Sequence, residues 1–310
     1  MIGTLSLSVV SDGIDHERRE LEPVLASVRP WRSRGAGSLA GGSASGRGVD
    51  DRFDLSGQVA VITGGGTGIG RAAALVLSAH GADVVLASRR VENLERVARE
   101  VESGGRRALV VPTDIRDPAA CRALIDRTVE EFGQVDILVN NGGGSRMYEL
   151  ADWTLDAWEN MIALNLRSVW LLSQAAAANM VPRGRGAIVN ISSGASETGL
   201  PYVAPYGAAK AGVNNLTWSM AAGLGRHGIR VNCIAVGAVK SEGFLRAMAR
   251  AQRDPDEVGG RNALGRAGMP DEIAYPILFL VSDASSFLSG ETISVNGGPA
   301  VPTELVEQPR

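Results

Sequence analysis

Val59-Ala-Val-Ile-Thr-Gly-Gly-Gly-Thr-Gly-Ile-Gly70 is the stretch of this chain that decides the fold. Its first four residues are apolar, which predicts a buried strand. The glycines predict a tight turn, and the continuation Arg71-Ala-Ala-Ala-Leu-Val-Leu77 predicts a helix. A strand that passes through a glycine-rich turn into a helix is the first unit of a dinucleotide-binding fold.

The glycines of this turn have separate predicted tasks. Gly64 permits the tight turn, Gly68 lets the backbone approach a pyrophosphate, and Gly70 permits close packing of helix on strand. The helix offers free N–H groups and the positive end of its dipole to a phosphate. A merely flexible turn is the alternative, and the flanking strand and helix favour the phosphate site.

Short β-rich runs alternate with longer helical stretches along the rest of the chain, as far as about Pro299. Such alternation predicts βαβ units, and therefore an α/β fold with a doubly wound parallel sheet of Rossmann type and helices on both faces. No second change of composition occurs, so we expect a single domain over residues 53–300. The predicted strands are Val59–Thr63, Asp83–Ala87, Ala108–Pro112, Ile137–Asn140, Ala187–Ser192, Arg230–Ala235 and Thr292–Val295.

Residues 1–52 differ from this pattern, because Gly35–Gly48 is a Gly/Ser/Ala-rich linker, flexible by composition. The start has no basic segment followed by a long apolar core, which argues against a secretory signal. We interpret residues 1–52 as a disordered extension, for which an over-extended gene start is one explanation. Residues 301–310 are interpreted as a C-terminal tail.

Composition excludes several classes of function. A net charge of -3 over 310 residues provides no basic footprint for nucleic acid or for an anionic membrane. No apolar run approaches the ~18 residues that span a membrane. The two cysteines, Cys121 and Cys233, have no metal-ligand spacing, so we expect no metal site and a reduced, cytoplasmic location.

Tyr206-Gly-Ala-Ala-Lys210 opens a predicted helix and suggests a proton-transfer pair. Residues at positions i and i+4 share a face of a helix, so the phenol and the ammonium can converge. A nearby ammonium favours the phenolate, which predicts a lowered pKa for Tyr206. A surface tyrosine beside a solvated lysine is the alternative for this pair alone.

The spacing TGxxxGIG over Thr63–Gly70 resembles the short-chain dehydrogenase/reductase family, and the likeness extends across nearly all of residues 53–299. The resemblance implies the α/β fold already predicted and an oxidoreductase that uses a nicotinamide dinucleotide. The other matching motifs, in chain order, are Asn140-Asn-Gly-Gly143 (where the family has NNAG), Asn165, Ile191-Ser-Ser193, Tyr206 with Lys210, Val236-Gly237 with Ser241, Gly265–Ile273 and Ser289–Gly298.

The resemblance assigns catalytic roles to four residues. Ser193, thirteen residues before Tyr206, would stabilise the substrate oxygen, and Tyr206 would transfer the proton. Lys210 would hold the nicotinamide ribose and lower the tyrosine pKa together with the positive nicotinamide. Asn165 would anchor a water that links Lys210 to solvent.

The end of the second predicted strand bears on the choice of nicotinamide cofactor. An acidic residue there would bind the adenosine ribose hydroxyls, whereas this chain has Ser88 followed by Arg89 and Arg90. A guanidinium suits a 2′-phosphate, so NADP(H) is preferred and NAD(H) stays possible. Thr67 weakens this preference, because many NADP(H)-dependent members place a second basic residue at that position.

Further cofactor contacts follow from the family motifs. Asp114 would contact the adenine, or alternatively cap the following helix. The remaining positions that the resemblance assigns to the cofactor are Gly64, Gly68, Ile69, Gly70, Ile115, Asn141, Gly142, Tyr206, Lys210, Gly237, Val239 and Ser241.

The resemblance does not name the substrate. A small-molecule carbonyl or alcohol is expected, with a 3-oxoacyl thioester as the leading class because it is frequent in the family. Hydroxysteroid or sugar dehydrogenase activity, 2-enoyl- or 2,4-dienoyl-CoA reduction, and a non-catalytic dinucleotide-binding role are alternatives. Family likeness also predicts a homotetramer or homodimer, paired through helices near residues 154–180 and 205–225.

Overall fold

The computed structural model describes residues 49–300 of the chain. Residues 1–48 and 301–310, which hold most of the predicted extension and all of the predicted tail, lie outside the described residues. Residues 49–52 belong to a short 3-10 helix, Val49–Phe53. Within residues 49–300, no helix has the length and apolar composition needed to cross a membrane.

Seven parallel strands form one sheet in the order β3-β2-β1-β4-β5-β6-β7. The doubly wound α/β fold predicted from the alternation is confirmed. Every predicted strand is present; β2 ends one residue later than predicted, and β5 and β6 each extend one residue further at both ends. The strands are β1 Val59–Thr63, β2 Asp83–Ser88, β3 Ala108–Pro112, β4 Ile137–Asn140, β5 Gly186–Ser193, β6 Ile229–Val236 and β7 Thr292–Val295.

The strand order reverses between β1 and β4, and this reversal places the site. Val61 of β1 pairs with Val85 of β2 on one side and with Leu138 of β4 on the other. The crossovers from β1 and from β4 therefore leave in opposite directions. In open α/β sheets, ligands bind at such a reversal, outside the carboxyl ends of the strands.

Helices cover both faces of the sheet, as the near-continuous apolar composition of its strands requires. Leu77, Leu94 and Ile277 belong to the core on one face, and Leu124, Leu172 and Met220 belong to the core on the other. The helices are α1 Gly68–Ala79, α2 Val91–Ser103, α3 Pro118–Phe132, α4 Leu155–Ile162, α5 Ser168–Arg183, α6 Ala204–Leu224, α7 Glu242–Arg250, α8 Pro255–Gly259 and α9 Asp271–Val281.

Side chains cap the starts of four helices, α3, α4, α7 and α8. Asp117 caps α3 by accepting a hydrogen bond from the Ala119 amide at 2.9 Å, and α3 stops at Gly133, whose φ of 77° is left-handed. Thr154 caps α4 through the Ala157 amide at 3.2 Å. These local signals fix both ends of α3 and the start of α4.

A buried carboxylate joins the strands at their amino-terminal ends, away from the carboxyl ends where ligands bind in such sheets. Asp136 accepts a hydrogen bond from the Val59 amide at 2.9 Å and pairs with Arg183 and with Arg185, the latter at 3.2 Å. Its charge is thus compensated where β1, β4 and β5 begin. This cluster supports the sheet and lies away from the predicted site.

Candidate active site

The glycine turn between β1 and α1 has the close contacts that require glycine. Gly64 and Gly68 have φ of 68° and 52°, in the left-handed region. A Cβ on Gly70 would lie 2.2 Å from the Gly64 carbonyl oxygen, so any side chain there would push helix and turn apart. The predicted turn and helix packing at these three glycines are present.

The turn also fits a dinucleotide phosphate. Thr67, the residue that precedes α1, makes no side-chain capping bond, and the first turn of α1 has no acidic residue. The amides at this helix end are therefore available to an anion. Thr67 and Ile69 lie in the turn and at the start of α1, next to those amides.

Thr63 joins this turn to the end of β4, and the sequence reasoning did not assign it a role. Its hydroxyl accepts hydrogen bonds from the Asn141 and Gly142 amides at 3.0 and 2.8 Å, and it donates to the Val139 carbonyl at 3.3 Å. The Asn141 side chain donates to the Thr63 carbonyl at 2.8 Å. The signal in the sequence is a threonine at the end of β1, directly before the glycine turn.

Gly142 stands where the resembled family has alanine, and its surroundings explain the difference. A Cβ on Gly142 would lie 2.7 Å from Cδ1 of Ile115, a buried side chain. Ile115 therefore occupies the space that the alanine methyl would fill.

The adenosine end of the predicted cofactor site lies beside the β2 terminus. Ser88 is the last residue of β2, Arg90 precedes α2, and the side chains of Arg89 and Arg90 are exposed. Two basic groups are thus accessible at the strand end, with no carboxylate at the position that would bind ribose hydroxyls.

Asp114 does not cap α3, so this alternative is wrong. The capping residue is Asp117, while Asp114 accepts hydrogen bonds from Arg116 Nε at 3.0 Å and Nη2 at 2.6 Å. The side-chain hydrogen bond from Arg116 lowers the pKa of Asp114 to about 2. Asp114 is therefore a carboxylate at neutral pH, and its contact with an adenine stays a prediction.

The loop after β6 lies next to the glycine turn. A Cβ on Gly237 would lie 2.7 Å from Asn296 Cα, and Val239 is buried. Ser241 caps α7, and its Cβ lies 2.8 Å from the position of a Cβ on Gly68. The residues predicted after β6 therefore meet those of the first turn.

Ser193 and Tyr206 meet at the carboxyl end of the sheet. Ser193 ends β5, and Tyr206 lies in the first turn of α6, which begins at Ala204. The Ser193 hydroxyl lies close enough to the Tyr206 phenol to lower the pKa of that phenol. Ser193 is held in turn by the Ala195 amide, which donates to its Oγ at 3.2 Å.

Lys210 lies one helical turn after Tyr206 and is buried, with 4% of its surface exposed. Its ammonium donates to the Ile191 carbonyl at 2.7 Å and lies 5.7 Å from the Tyr206 ring centroid. Burial lowers the pKa of Lys210 to about 8. The pKa of Lys210 therefore lies close to neutral pH.

The predicted lowering of the Tyr206 pKa is wrong for the protein chain itself. Burial raises the pKa of the phenol, and the neighbouring Ser193 hydroxyl offsets only part of that effect. The Lys210 ammonium donates its hydrogen bond to the Ile191 carbonyl rather than to the phenol. Burial therefore determines the direction of the Tyr206 pKa shift. The nicotinamide charge, which the resemblance also invokes, belongs to the cofactor.

Asn165 lies in a π-helical turn, Ala163–Arg167, between α4 and α5, a feature frequent at functional sites. Its side chain accepts from the Gly144 amide at 3.1 Å and donates to the Gly144 carbonyl at 2.9 Å. A Cβ on Gly143 would lie 3.5 Å from Lys210 Nζ and 2.8 Å from Asn165 Oδ1. Asn165 therefore fixes the glycine run beside the lysine.

The geometry brings the four predicted catalytic residues to one edge of the sheet, together with the glycine turn. Such a site can hold a dinucleotide along the turn and present a phenol, a hydroxyl and an ammonium to a bound oxygen.

Comparison with known proteins agrees with this arrangement. The family model described as "Enoyl-(Acyl carrier protein) reductase" matches residues 64–299. Gluconate 5-dehydrogenase of Gluconobacter oxydans (strain 621H) is 38% identical over 251 residues, which cover 81% of this chain and 98% of that protein.

Two solved structures share the fold across their length. A short-chain type dehydrogenase/reductase from Mycobacterium marinum has a TM-score of 0.76 at 35% identity, covering 81% of this chain and 99% of that one. A 7α-hydroxysteroid dehydrogenase, solved with NADH and 7-oxo glycochenodeoxycholic acid, has a TM-score of 0.77 at 33% identity, covering 82% and 98%. This chain therefore belongs to the short-chain dehydrogenase/reductase family, whose members are NAD(P)-dependent oxidoreductases acting on CH–OH and C=O groups.

Proposed function

We propose that this enzyme interconverts a ketone and a secondary alcohol, with NADP(H) as the preferred cofactor. The observation that carries the proposal is the position of Tyr206, which has the Ser193 hydroxyl as a neighbour and lies one helical turn from the buried Lys210. The three groups lie at the carboxyl edge of a sheet whose first turn fits a dinucleotide phosphate.

Each of these side chains has a role that its surroundings support. A nicotinamide dinucleotide held along the glycine turn would supply or accept the hydride. Ser193 holds the substrate oxygen, and Tyr206 gives that oxygen a proton during reduction or removes it during oxidation. Lys210 holds the nicotinamide ribose and carries a positive charge beside the proton path.

Asn165 supports this machinery through the backbone. Its amide is occupied by Gly144 on both its donor and its acceptor side, which keeps the glycine run against Lys210. We assign the water link between Lys210 and solvent to this same turn. Asn165 is thus a positioning residue in this proposal.

The dinucleotide would run along the predicted contacts from the glycine turn to the reacting end. Gly64, Thr67, Gly68, Ile69 and Gly70 would bind the pyrophosphate through backbone amides. Further along are the adenosine contacts, Ser88, Arg89, Arg90, Asp114 and Ile115, and the contacts on the nicotinamide half, Asn141, Gly142, Gly237, Val239, Ser241, Tyr206 and Lys210.

A hydroxy acid is the substrate class that the relatives favour. One relative is named for gluconate, and a structural neighbour was solved with a steroid acid. The 3-oxoacyl thioester, which would undergo the same ketone chemistry, stays a prediction. Sugar and steroid alcohols are further candidates of the same chemistry.

Alkene reduction is a second candidate, because the matching family model is described as an enoyl reductase. The serine–tyrosine–lysine arrangement favours the ketone, since the enoyl reductase branch generally departs from it. A non-catalytic dinucleotide-binding role is the remaining alternative.

The replacement of Tyr206 by Phe tests the function directly. It removes only the hydroxyl, so we expect turnover to fall by about 10²- to 10⁴-fold while NADPH binding is kept. The assay follows NADPH absorbance across a panel of ketones, oxo acids and enoyl thioesters, and calorimetry follows NADPH binding. Tyr275→Phe is the control, because Tyr275 is exposed on α9. Undiminished turnover in Tyr206→Phe, or a wild type that reduces only enoyl thioesters, would overturn the proposal.

We also assign the enzyme to the cytoplasm and to a homotetramer or homodimer. Both cysteines are buried and free, which suits a reduced compartment. Exposed tryptophans on three neighbouring helices, considered below, support assembly.

A further inference from the structure

The loop after β4 is fixed at two points that flank the reacting groups. At Gly144 both the amide and the carbonyl hydrogen bond to the Asn165 side chain, at 3.1 and 2.9 Å. At Tyr148 the amide donates to the Tyr202 carbonyl at 3.0 Å. Tyr202 lies four residues before Tyr206, so the loop joins the Asn165 side of the site to the start of α6.

Tyr202 itself shows that this second attachment is specific. Its φ is 69°, a left-handed conformation that is uncommon for a residue other than glycine. Such backbone is kept where the surrounding structure determines it, and often at functional sites. The ring of Tyr148 packs edge-on against Trp153, with centroids 5.0 Å apart, which steadies the far end of the loop.

Arg146 lies midway between the two attachments. One residue separates it from each anchor along the chain, so its Cα lies within about 7 Å of Gly144 Cα and of Tyr148 Cα. Its side chain is exposed and has neither an ion pair nor a hydrogen bond within residues 49–300. A long cationic side chain on a fixed backbone therefore stands at the rim of the site without a partner.

We propose that Arg146 binds a carboxylate on the substrate and thereby selects oxo acids and hydroxy acids over uncharged ketones and alcohols, an inference that rests on the proposed function. The guanidinium presents two parallel N–H donors, which match a carboxylate and hold the substrate in one orientation. With the acid end fixed at the loop, the reacting carbonyl is directed towards Ser193 and Tyr206.

Other charged side chains near the site could also affect the preference for acids, so they are compared with Arg146. Glu149 is exposed in the same loop and forms no ion pair with Arg146. On α7, Arg250 and Arg246 are exposed, but they lie on an element that is attached to the glycine turn rather than to the Asn165 side. Arg146 is the cation held between the two attachments described above.

The first experiment compares an acid with its neutral counterpart. The probes are 4-oxocyclohexanecarboxylate and its methyl ester, assayed with NADPH in the wild type, Arg146→Ala and Arg146→Lys. We expect Arg146→Ala to lose about 10- to 100-fold in kcat/KM for the acid, mainly through KM. The fold-loss in kcat/KM for the ester should be at least tenfold smaller. Arg146→Lys should recover only part of the loss, because an ammonium cannot bind both oxygens in parallel.

Two further variants separate a direct contact from a general charge effect. Arg122→Ala removes an exposed arginine on α3 and should leave both probes unaffected. Glu149→Gln changes the loop charge by one unit in the opposite direction. If it raises the rate on the acid as strongly as Arg146→Ala lowers it, long-range charge rather than binding by Arg146 is responsible, and the proposal is overturned.

A binding measurement decides the matter even if neither probe is reduced. Calorimetry on the complex with NADPH would compare cyclohexanecarboxylate with cyclohexanecarboxamide in the wild type and in Arg146→Ala. A preference for the carboxylate that disappears in Arg146→Ala supports the anchor, whatever the turnover. Equal binding of both compounds by the wild type, or a preference that is kept in Arg146→Ala, would overturn the proposal that Arg146 binds the carboxylate. Loss of turnover alone counts against the proposed function.

Discussion

At the scale of single residues, Lys210 is a group of the site that lowers the stability of the folded protein. Its ammonium is buried, and the Ile191 carbonyl accepts its hydrogen bond at 2.7 Å. Burial disfavours the charged form, which is why the pKa falls to about 8 from an ordinary 10.5. A group whose pKa lies near neutral pH can take up and release protons during a reaction. Its buried charge lowers the free energy of unfolding.

We expect Lys210→Met to be inactive and more stable than the wild type at pH 7. Below pH 8 the lysine is charged in both folded and unfolded chains, so the cost of burial is fully present. With about 1.4 kcal/mol per pKa unit, that cost is on the order of 3 kcal/mol, and the lost hydrogen bond to Ile191 offsets part of the gain.

The pH dependence gives this prediction its sign. Between the folded pKa of about 8 and the unfolded value of 10.5, the folded wild type releases its proton first, so its stability rises relative to the variant. Thermal unfolding of both proteins at pH 7, 8 and 9 should show a shrinking difference. A difference that stays constant with pH would contradict the assignment of the cost to the Lys210 charge.

The proposed preference for NADP(H) rests on Arg89. Replacing it by Ala should raise KM for NADPH about 10- to 100-fold and KM for NADH less than about threefold, because only NADPH carries the 2′-phosphate. Steady-state kinetics with both cofactors provide the measurement, with Arg99→Ala, an exposed arginine on α2, as the control. Equal effects on both cofactors would exclude Arg89 as the phosphate ligand.

At the scale of elements, a buried polar ladder joins two strands to α6. Asn140 on β4 donates to Asn190 on β5 at 2.9 Å, and Asn190 donates to Thr217 on α6 at 2.9 Å. All three side chains are buried. The ladder therefore links β5, which ends in Ser193, to the helix that carries Tyr206.

We expect Asn190→Leu to lower both stability and kcat. The change leaves Asn140 and Thr217 each without one buried partner, at a cost of about 1–3 kcal/mol apiece. Misalignment of β5 against α6 should reduce kcat more than it raises KM for NADPH. Denaturant unfolding and steady-state kinetics check both effects against Asn215→Leu, which alters an exposed asparagine on α6. Unchanged kcat in a destabilised variant would restrict the ladder to a structural role.

At the scale of the whole molecule, three tryptophans stand exposed on consecutive helices. Trp158, Trp170 and Trp218 have 40%, 46% and 57% of their surface accessible, on α4, α5 and α6. Exposed aromatic side chains on neighbouring helices favour a subunit interface. α6 also carries Tyr206, so such an interface would stiffen the helix from behind.

We expect Trp218→Glu to dissociate the oligomer, because a carboxylate in a desolvated interface has no partner. Size-exclusion chromatography with light scattering should show a multimer for the wild type and a smaller species for the variant. Leu264→Glu, at a residue 66% exposed outside these helices, serves as the control. A wild type that elutes as a monomer would refute the proposed assembly.

The sequence by itself determined the fold class, because strand and helix periodicities and a glycine turn are local properties of the chain. The pattern placed all seven strands, and the four-residue spacing of Tyr206 and Lys210 indicated one pair. A resemblance to a family added Ser193, Asn165 and the cofactor positions, whose roles stay proposals.

Only the tertiary structure decided the properties that depend on what surrounds a side chain. It showed that Asp114 binds Arg116 rather than caps a helix, and that Thr63 joins two turns. It also reversed the expected direction of the Tyr206 pKa. Sequence spacing tells which charges can be neighbours, whereas burial and the direction of each hydrogen bond, which set a pKa, arise only when distant segments pack together.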